Sequence, residues 1–475
     1  MGRGELLNAV GEAAELIREH AEKGVVRVVS HLDADGLSAC GIICKALYRL
    51  GVRFFRASIE RKVDETLMES LLSERPRPTL IVFTDIGGSY LDVISKYVDR
   101  VSFVVLDHHI PVEAEESGVV HVNPRTYGLD GSKDISGAGL AYLTAVRLDG
   151  SNRDLAPLAV VGALGDRQDK GERKSLVGLN ESIVEDAVGE GLLKVSVDLL
   201  FYGHETRPIH VAMAYTTSPF LPGLSGREDA CLALLKRVGV DVEVEGRWRA
   251  VRDLSMEEKR SIVSGIAEYL AGRGVRPDVA HELIGTVYTL IREEDWTPLR
   301  DCREYASLLN ACARMGRMAV GVAVSMGDRG RAFREAEETL TAYRRAVAEG
   351  LRWAWEGGMI RELENIYYIK AGSSIDDRII GVVASIVLSS GILEKDKPVL
   401  ALADMREEEG MVKASGRARE ERGVNLGVAL MKAASECGGR GGGHDIAAGA
   451  FIPKGCEDKF IRLVDLEVGG QRVEG

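Results

Sequence analysis

Four short stretches of this chain gather side chains able to hold a metal ion or move a proton: His31-Leu32-Asp33-Ala34-Asp35-Gly36, Thr84-Asp85-Ile86-Gly87-Gly88, Leu106-Asp107-His108-His109 and Gly162-Ala163-Leu164-Gly165-Asp166. Carboxylates two apart in an extended turn project to the same side, and Gly36 lets the backbone bend away after them. Asp and Gly are also ordinary turn residues, and Asp is a good helix N-cap, so the first stretch alone carries little. Its company carries more. Carboxylates gathered this closely repel one another unless cations neutralise them, which makes a shared metal site the physical reason to collect them. Oxygen donors with one or two imidazoles suit Mn or Mg better than Zn. Two such ions roughly 4 Å apart, bridged by one carboxylate, would activate a water for in-line attack on phosphorus and stabilise the leaving oxygen.

The elements that must position these groups can be read around them. Residues 25–47 read as strand, acidic turn and helix, because an apolar run is broken by Ser30-His31-Leu32-Asp33 and then resumes at helical spacing. Strands are expected over 52–59, over 79–88 ending in Asp85, and over 102–109 ending in Asp107, His108 and His109, with a helix around 90–97. Right-handed crossovers would make these a doubly wound parallel sheet and bring the acids to one edge, at the carboxyl ends of the strands. The apolar run 158–169 reads as a buried helix or strand carrying Asp166. Ser136-Gly137-Ala138-Gly139 opens a helix whose amides face any nearby anion. One α/β domain is expected over 1–203.

Beyond it, 204–352 is dominated by charged helical patterns at 256–272 and 329–351, and 299–316 has apolar residues at the spacing of a core helix. No acids converge there, so this mainly helical insertion is expected to bind a partner and to be dispensable for chemistry. From 353 to 475 the pattern returns to α/β. Residues 438–444 are too glycine-rich for a packed element; they read as a loop whose amides, with Arg440 and His444, hold a phosphate. At 475 residues the chain exceeds one core. A net charge of -12 opposes nonspecific coating of nucleic acid but leaves room for a local basic groove. Seven cysteines without a Cys-x-x-Cys argue against a disulfide framework and a zinc ribbon, and Cys40 and Cys44 read as small core residues. No apolar run approaches the roughly 20 residues of a membrane helix, and charges spread through the first residues exclude a signal peptide, so no membrane association and a cytoplasmic location are expected. Only 5% of residues are aromatic, which leaves little for a base-stacking groove.

The ordered set HLDADG, TDIGG, LDHH and GALGD, followed after an insertion by GGRGGGHDIAAGA, resembles the DHH phosphoesterase superfamily with its carboxyl-terminal DHHA1 domain. Within it the chain is similar to the archaeal RecJ-like single-strand nucleases, including the GINS-associated type, and to the related helicase cofactor of eukaryotes. The resemblance implies a parallel-sheet DHH catalytic domain over 1–203, a mainly helical partner-binding insertion over 204–352 and a smaller α/β DHHA1 domain over 353–475. It makes Asp85 the bridging carboxylate and Asp33, Asp35, Asp166 and His108 metal ligands. His31 stands where relatives carry a His or an Asp, at a shorter spacing than in the small phosphatases. His109 matches a phosphate-contacting imidazole, and Asp107 a group that orients a histidine from behind. Ser415, Arg417, Gly442, Gly443 and His444 match substrate-gripping motifs, joined by Arg440, with Arg378 at a helix start as a further candidate. The implied activity is a 5′-to-3′ exonuclease on single-stranded DNA or RNA, using two divalent ions, Mn ahead of Mg, beside the replication complex GINS. The alternatives are a phosphohydrolase of oligonucleotides or cyclic dinucleotides, for which roughly 150 intervening residues are more than needed, and an inactive scaffold, which would be free to lose the acids it retains.

Overall fold

Uninterrupted runs of Val, Ile, Leu and Phe suit strands covered on both faces by helices, and such runs build the amino-terminal sheet of the computed structural model, which describes residues 2–473 apart from 53, 114–117, 217–218, 275–276, 391–392, 394 and 420–422. Its strands β1 (Val26–His31), β2 (Phe55–Glu60), β3 (Leu80–Thr84), β4 (Ser102–Leu106) and β5 (Val119–Val122) are all parallel, in the order β2-β1-β3-β4-β5. The chain leaves β1 for β2 on one side and returns to β3 on the other, so the carboxyl ends of β1 and β3 flank the switch point where an α/β sheet opens a crevice.

The helices are α1 (Gly2–Lys23), α2 (Ala34–Arg49), α3 (Glu65–Ser73), α4 (Leu91–Ile94), α5 (Gly137–Leu148), α6 (Ala156–Gly165) and α7 (Gly178–Gly189). Met68 and Leu71 of α3 and Ile94 of α4 pack with Val29, Ile81, Phe83 and Phe103 of the sheet, while α2 packs on β1 and against α5 and α6. The helix expected around 90–97 is instead one α-turn between two 3-10 turns, Gly88–Tyr90 and Ser95–Tyr97; it starts after Gly87 at φ +122° with no side-chain cap. The apolar run 158–169 is helical, with Pro157 in the first turn of α6 and Asp166 just past its end.

The middle of the chain contributes β6 (Leu193–Leu199), α8 (Ile209–Tyr215), α9 (Glu228–Arg237), the hairpin β7 (Glu243–Val244) and β8 (Arg247–Trp248), α10 (Met256–Ala271), β9 (Ile284–Leu290), α11 (Cys302–Arg314), α12 (Met318–Ser325) and α13 (Arg331–Glu356). It is mainly helical, as expected, except that β6 pairs antiparallel with β9 along its whole length. The signal for β9 was present in Thr286-Val287-Tyr288-Thr289, four residues that favour strands.

The carboxyl-terminal sheet comprises β10 (Ile360–Glu362), β11 (Tyr367–Gly372), β12 (Val399–Asp404), β13 (Met411–Arg417), β14 (Arg440–Gly443) and β15 (Ala447–Pro453), in the order β10-β11-β12-β13-β15-β14, with β11 and β12 the parallel pair. Its helices are α14 (Ile380–Ser389), α15 (Leu426–Ser435) and α16 (Glu457–Val473). Strand alternation divides its core in two: Leu400 and Leu402 of β12 face a cluster with Leu430 and Phe460, while Val399 and Ala401 face one with Ile380 and Val383. The chain divides into two compact units, the first Met1–Ala212, Leu235–Ala267 and Pro277–Leu340, the second Met213–Leu234, Glu268–Arg276 and Thr341–Gly475.

A charge cluster in the first unit sets part of its acid stability. Asp198 of β6 lies 2.7 Å from Lys259 Nζ and 3.0 Å from His204 Nε2. Burial alone would raise the Asp198 carboxyl, but hydrogen bonds to His204 and Lys259 bring it down to about 2. A depressed carboxyl contributes stability above its unfolded value, near about pH 4, that is lost as pH falls through its folded value. Wild type should therefore lose on the order of 2 kcal/mol between about pH 4 and pH 2 that Asp198→Asn does not. Urea midpoints measured across this range check it, and parallel pH profiles would remove Asp198 as the cause.

Candidate metal centre

The predicted acids and imidazoles of the amino-terminal half converge at the carboxyl ends of β1, β3 and β4. His31 closes β1, and Asp33 caps α2, its Oδ1 accepting the Gly36 amide at 2.9 Å. Gly36 is needed for this turn, since a Cβ there would lie 2.3 Å from the His31 carbonyl oxygen. Asp35 is fully buried. Its Oδ2 accepts the Gly137 amide at 2.7 Å and its Oδ1 the Ala138 amide at 3.0 Å. The helix amides expected to meet an anion therefore do so, and the anion is the carboxylate of Asp35.

Asp85 follows β3 with φ +60°, a left-handed conformation that Asp tolerates better than most residues. Its Oδ1 lies 3.1 Å from His108 Nε2, which is also 3.1 Å from Asp166 Oδ2 and 3.7 Å from Asp35 Oδ2. The other ring nitrogen of His108 is 2.6 Å from the Gly131 carbonyl. That contact makes Nδ1 a donor and turns Nε2 toward the carboxylates. On the other side of Asp85, His31 Nδ1 is 2.7 Å from Asp33 Oδ2 and 3.5 Å from Asp85 Oδ2. Neither His31 Nδ1 nor the buried Asp85 Oδ2 has a hydrogen bond of acceptable alignment among the described residues.

The donors fall into overlapping groups: His31, Asp33 and Asp85; Asp35, His108 and Asp166; and Asp85, His108 and His109, with the ligand atoms of each group within 4.8 Å of one another. Burial pushes Asp35 well above the usual carboxylate range, and Asp85 and Asp166 push it further. Burial alone would lower His31 and His108, but the carboxylates beside them hold both well above the ordinary imidazole value. A cluster that draws in protons this way has a deficit of positive charge, and its oxygen and imidazole donors fit hard divalent cations. Asp107 is turned elsewhere. Its Oδ1 is 2.7 Å from His109 Nδ1 and its Oδ2 accepts the Gly88 amide at 2.7 Å, so it fixes the ring that His109 presents at the rim. Burial would raise Asp107, but the His109 contact holds it well below the usual range.

Family models match the chain in the order of these elements: the DHH family, N-terminal domain, over residues 25–163, the DHH-CID domain over 201–284 and the DHHA1 domain over 364–470. An uncharacterized protein of Methanocaldococcus jannaschii is 30% identical, covering 98% of this chain and 99% of its own. The chain belongs to the DHH/DHHA1 family. In fold this DHH/DHHA1 protein is similar to RecJ in complex with Mn2+ from Thermus thermophilus, at 19% identity and TM-score 0.60 over 97% of this chain and 55% of that one. It thus spans little more than half of that relative. It is also similar to a manganese-bound exonuclease RecJ, at 19% identity and TM-score 0.59 over 97% and 94% of the two chains. CDC45 from Entamoeba histolytica superimposes at 11% identity and TM-score 0.68, over 98% and 99%.

Sequence reading overlooked the polar residues that hold the DHH histidines. Gln168 is fully buried; its Nε2 donates to the Gly131 carbonyl at 2.9 Å, and its Oε1 accepts from Asn180 Nδ2 at 2.7 Å. Asn123 Nδ2 donates to the His109 carbonyl at 2.9 Å and Arg125 Nε to that of His108 at 3.1 Å. Asn123-Pro124-Arg125 directly after β5 was a signal available in the sequence, because it lies at the same sheet edge as the acids.

The helical middle is not separable from the site. Asn310 of α11 accepts the Ala34 amide at 3.1 Å, bracing the acidic turn, and α11 packs against α2 and α6. Against the expectation that residues 204–352 are dispensable for chemistry, part of that stretch supports the elements that carry Asp33, Asp35 and Asp166. Asn310→Ala should cost about 1–2 kcal/mol by stranding that amide, and lower hydrolysis roughly tenfold. Thermal melts alongside turnover check it; unchanged turnover would reduce Asn310 to packing.

In the DHHA1 domain, three strands place several of the predicted gripping residues in register. Ser415 of β13 faces Gly449 of β15, which faces Gly442 of β14; Arg417 faces Ala447, and Arg440 faces Phe451. Arg417 donates from Nε to Ser385 Oγ at 2.9 Å and from Nη1 to the Gly416 carbonyl at 2.8 Å. Arg440 is exposed, its guanidinium 5.8 Å from the centre of the Phe451 ring, and His444 is exposed in the turn that follows Gly443. Arg378 is held by two bonds to Asp376, at 3.0 and 2.8 Å. The glycine run is not an unpacked loop, as composition suggested. Residues 440–443 form β14, because without side chains α15 can close on it: a Cβ at Gly441 would lie 2.6 Å from the Leu430 carbonyl oxygen.

Proposed function

We propose that this DHH/DHHA1 protein is a metal-dependent exonuclease that hydrolyses phosphodiester bonds of single-stranded DNA or RNA in the 5′-to-3′ direction. The observation that carries this reading is that the Asp85 carboxylate belongs both to the group of His31 and Asp33 and to that of His108 and His109, while His108 itself lies 3.7 Å from Asp35 and 3.1 Å from Asp166, so that Asp85 stands between two sets of donors as a bridging ligand must. His31 and Asp33 would hold one ion and Asp35, His108 and Asp166 the other, with manganese preferred over magnesium; RecJ structures of similar fold contain Mn2+ or Mg2+. When bound, the cations supply an activated water and neutralise charge on the phosphoryl oxygens. The chain does the rest. His109, aimed by Asp107, contacts the scissile phosphate, while Ser415, Arg417, Arg440, Gly442, Gly443 and His444 grip the strand and fix its register. The division into a catalytic domain over 1–203, a partner-binding segment over 204–352 and a substrate-binding domain over 353–475 belongs to the same proposal. So does a cytoplasmic role beside the GINS replication complex; among the described residues no helix is long and apolar enough to cross a membrane.

Single strands labelled at either end, incubated with Mn2+, Mg2+ or chelator, test the reading. Early release of the 5′ label as a mononucleotide, abolished by chelator, is expected. Internal cleavage, or turnover confined to dinucleotides, would sink the exonuclease assignment.

A further inference from the structure

Cys40, Cys44, Cys231, Cys302 and Cys312 are buried, whereas Cys437 and Cys456 are half-exposed. Cys40 and Cys44 lie with sulfurs 3.9 Å apart inside α2, closed to any reagent. The half-exposed pair sits differently. Cys437 follows α15 and leads into β14; Cys456 follows β15 and leads into α16. Because β14 and β15 are antiparallel with Arg440 opposite Phe451, the two cysteines lie at the open end of this hairpin. Two contacts draw that end together: Cys437 Sγ donates to the Cys456 carbonyl at 3.9 Å, and Lys459 Nζ donates to the Glu436 carbonyl at 2.6 Å.

The hairpin has reason to need holding. Among the described residues β14 is an edge strand of Arg-Gly-Gly-Gly that pairs with β15 alone, and glycine brings no side chain to pack while giving up the most backbone freedom. We propose that Cys437 and Cys456 form a reversible disulfide, by exchange with a low-molecular-weight disulfide, that clasps the open end of the β14–β15 hairpin. Cys456 releases its proton to solvent and its sulfur attacks one sulfur of the small disulfide, breaking that S–S bond and expelling one small thiolate. Cys437 then loses its proton and attacks the Cys456 sulfur, expelling the second small thiolate. Two electrons pass from the protein thiols to the small disulfide, leaving one protein disulfide and two small thiols. Burial and the adjacent Cys456 thiol push Cys437 up to about 12, which suits it to the second step rather than the first.

The test uses the full chain incubated with oxidised glutathione, then alkylated and digested without reductant. The expected result is a peptide pair joined through Cys437 and Cys456, with two of the seven thiols lost to titration after denaturation. Trypsin cleavage at exposed Arg440 should slow about tenfold and recover with dithiothreitol. Cys437→Ser should stop at a glutathione adduct on Cys456. Seven titratable thiols, or a wild-type adduct without a crosslink, would overturn the pairing; a crosslink that leaves cleavage at Arg440 unchanged would overturn the clasp.

Discussion

Asp85→Asn is expected to slow strand hydrolysis by about three orders of magnitude or more while leaving the protein folded. Asn is the informative replacement because position 85 has φ +60°, a conformation that Asn shares with Asp but that penalises Ala by about 1 kcal/mol or more. The charge is removed and the shape kept. Two readouts separate the metal from the fold. Wild type should melt higher in Mn2+ than in chelator, by about 2.7 kcal/mol of stabilisation at a hundredfold excess over Kd. In Asp85→Asn that gain should largely vanish, while the chelator-treated variant matches or exceeds wild type because one of several crowded carboxylates has gone. Retention of a tenth or more of wild-type turnover would rule out a bridging role for Asp85.

Gly137→Ala should produce the second large effect without touching any ionisable group. A Cβ at this position would lie 2.6 Å from Asp85 Cβ and 2.7 Å from Asp85 Oδ1. The start of α5 is tied to Asp35 through the Gly137 and Ala138 amides, so Asp85 must give way. A displacement near 1 Å typically lowers turnover about a hundredfold, and overpacking costs about 1–3 kcal/mol. Turnover at saturating strand, compared with strand binding in Ca2+, distinguishes the causes. A loss confined to binding would show that Gly137 serves the substrate rather than the acids.

The acids lie at element ends that periodicity reveals: His31 closes an apolar run, Asp85 and Asp107 follow two more, and Asp166 ends a fourth. That much could be read because burial on both faces of a parallel strand leaves a continuous apolar signature. The fourth run could not be assigned to helix or strand, since both bury such a sequence. Gln168, Asn180 and Asn310 escaped notice for a different reason. Each is one polar residue whose partner lies 12 or more residues away along the chain, and only tertiary packing brings the two together, burying Gln168 and Asn180 and half-burying Asn310. The glycine run 440–443 misled because local propensity opposes a strand, while the close approach of α15 requires one.

The two amides that Asp35 accepts imply that this site would decay unevenly in a lineage no longer selected for hydrolysis. Substitutions at Asp85 relieve repulsion among crowded carboxylates and leave no buried amide stranded. Losing Asp35 strands the Gly137 and Ala138 amides in the interior, at about 1–3 kcal/mol each. Purifying selection on folding alone would then preserve Asp35 long after the chemistry had gone, so among descendants a surviving Asp35 marks an intact scaffold, and Asp85 is the residue that reports a working enzyme.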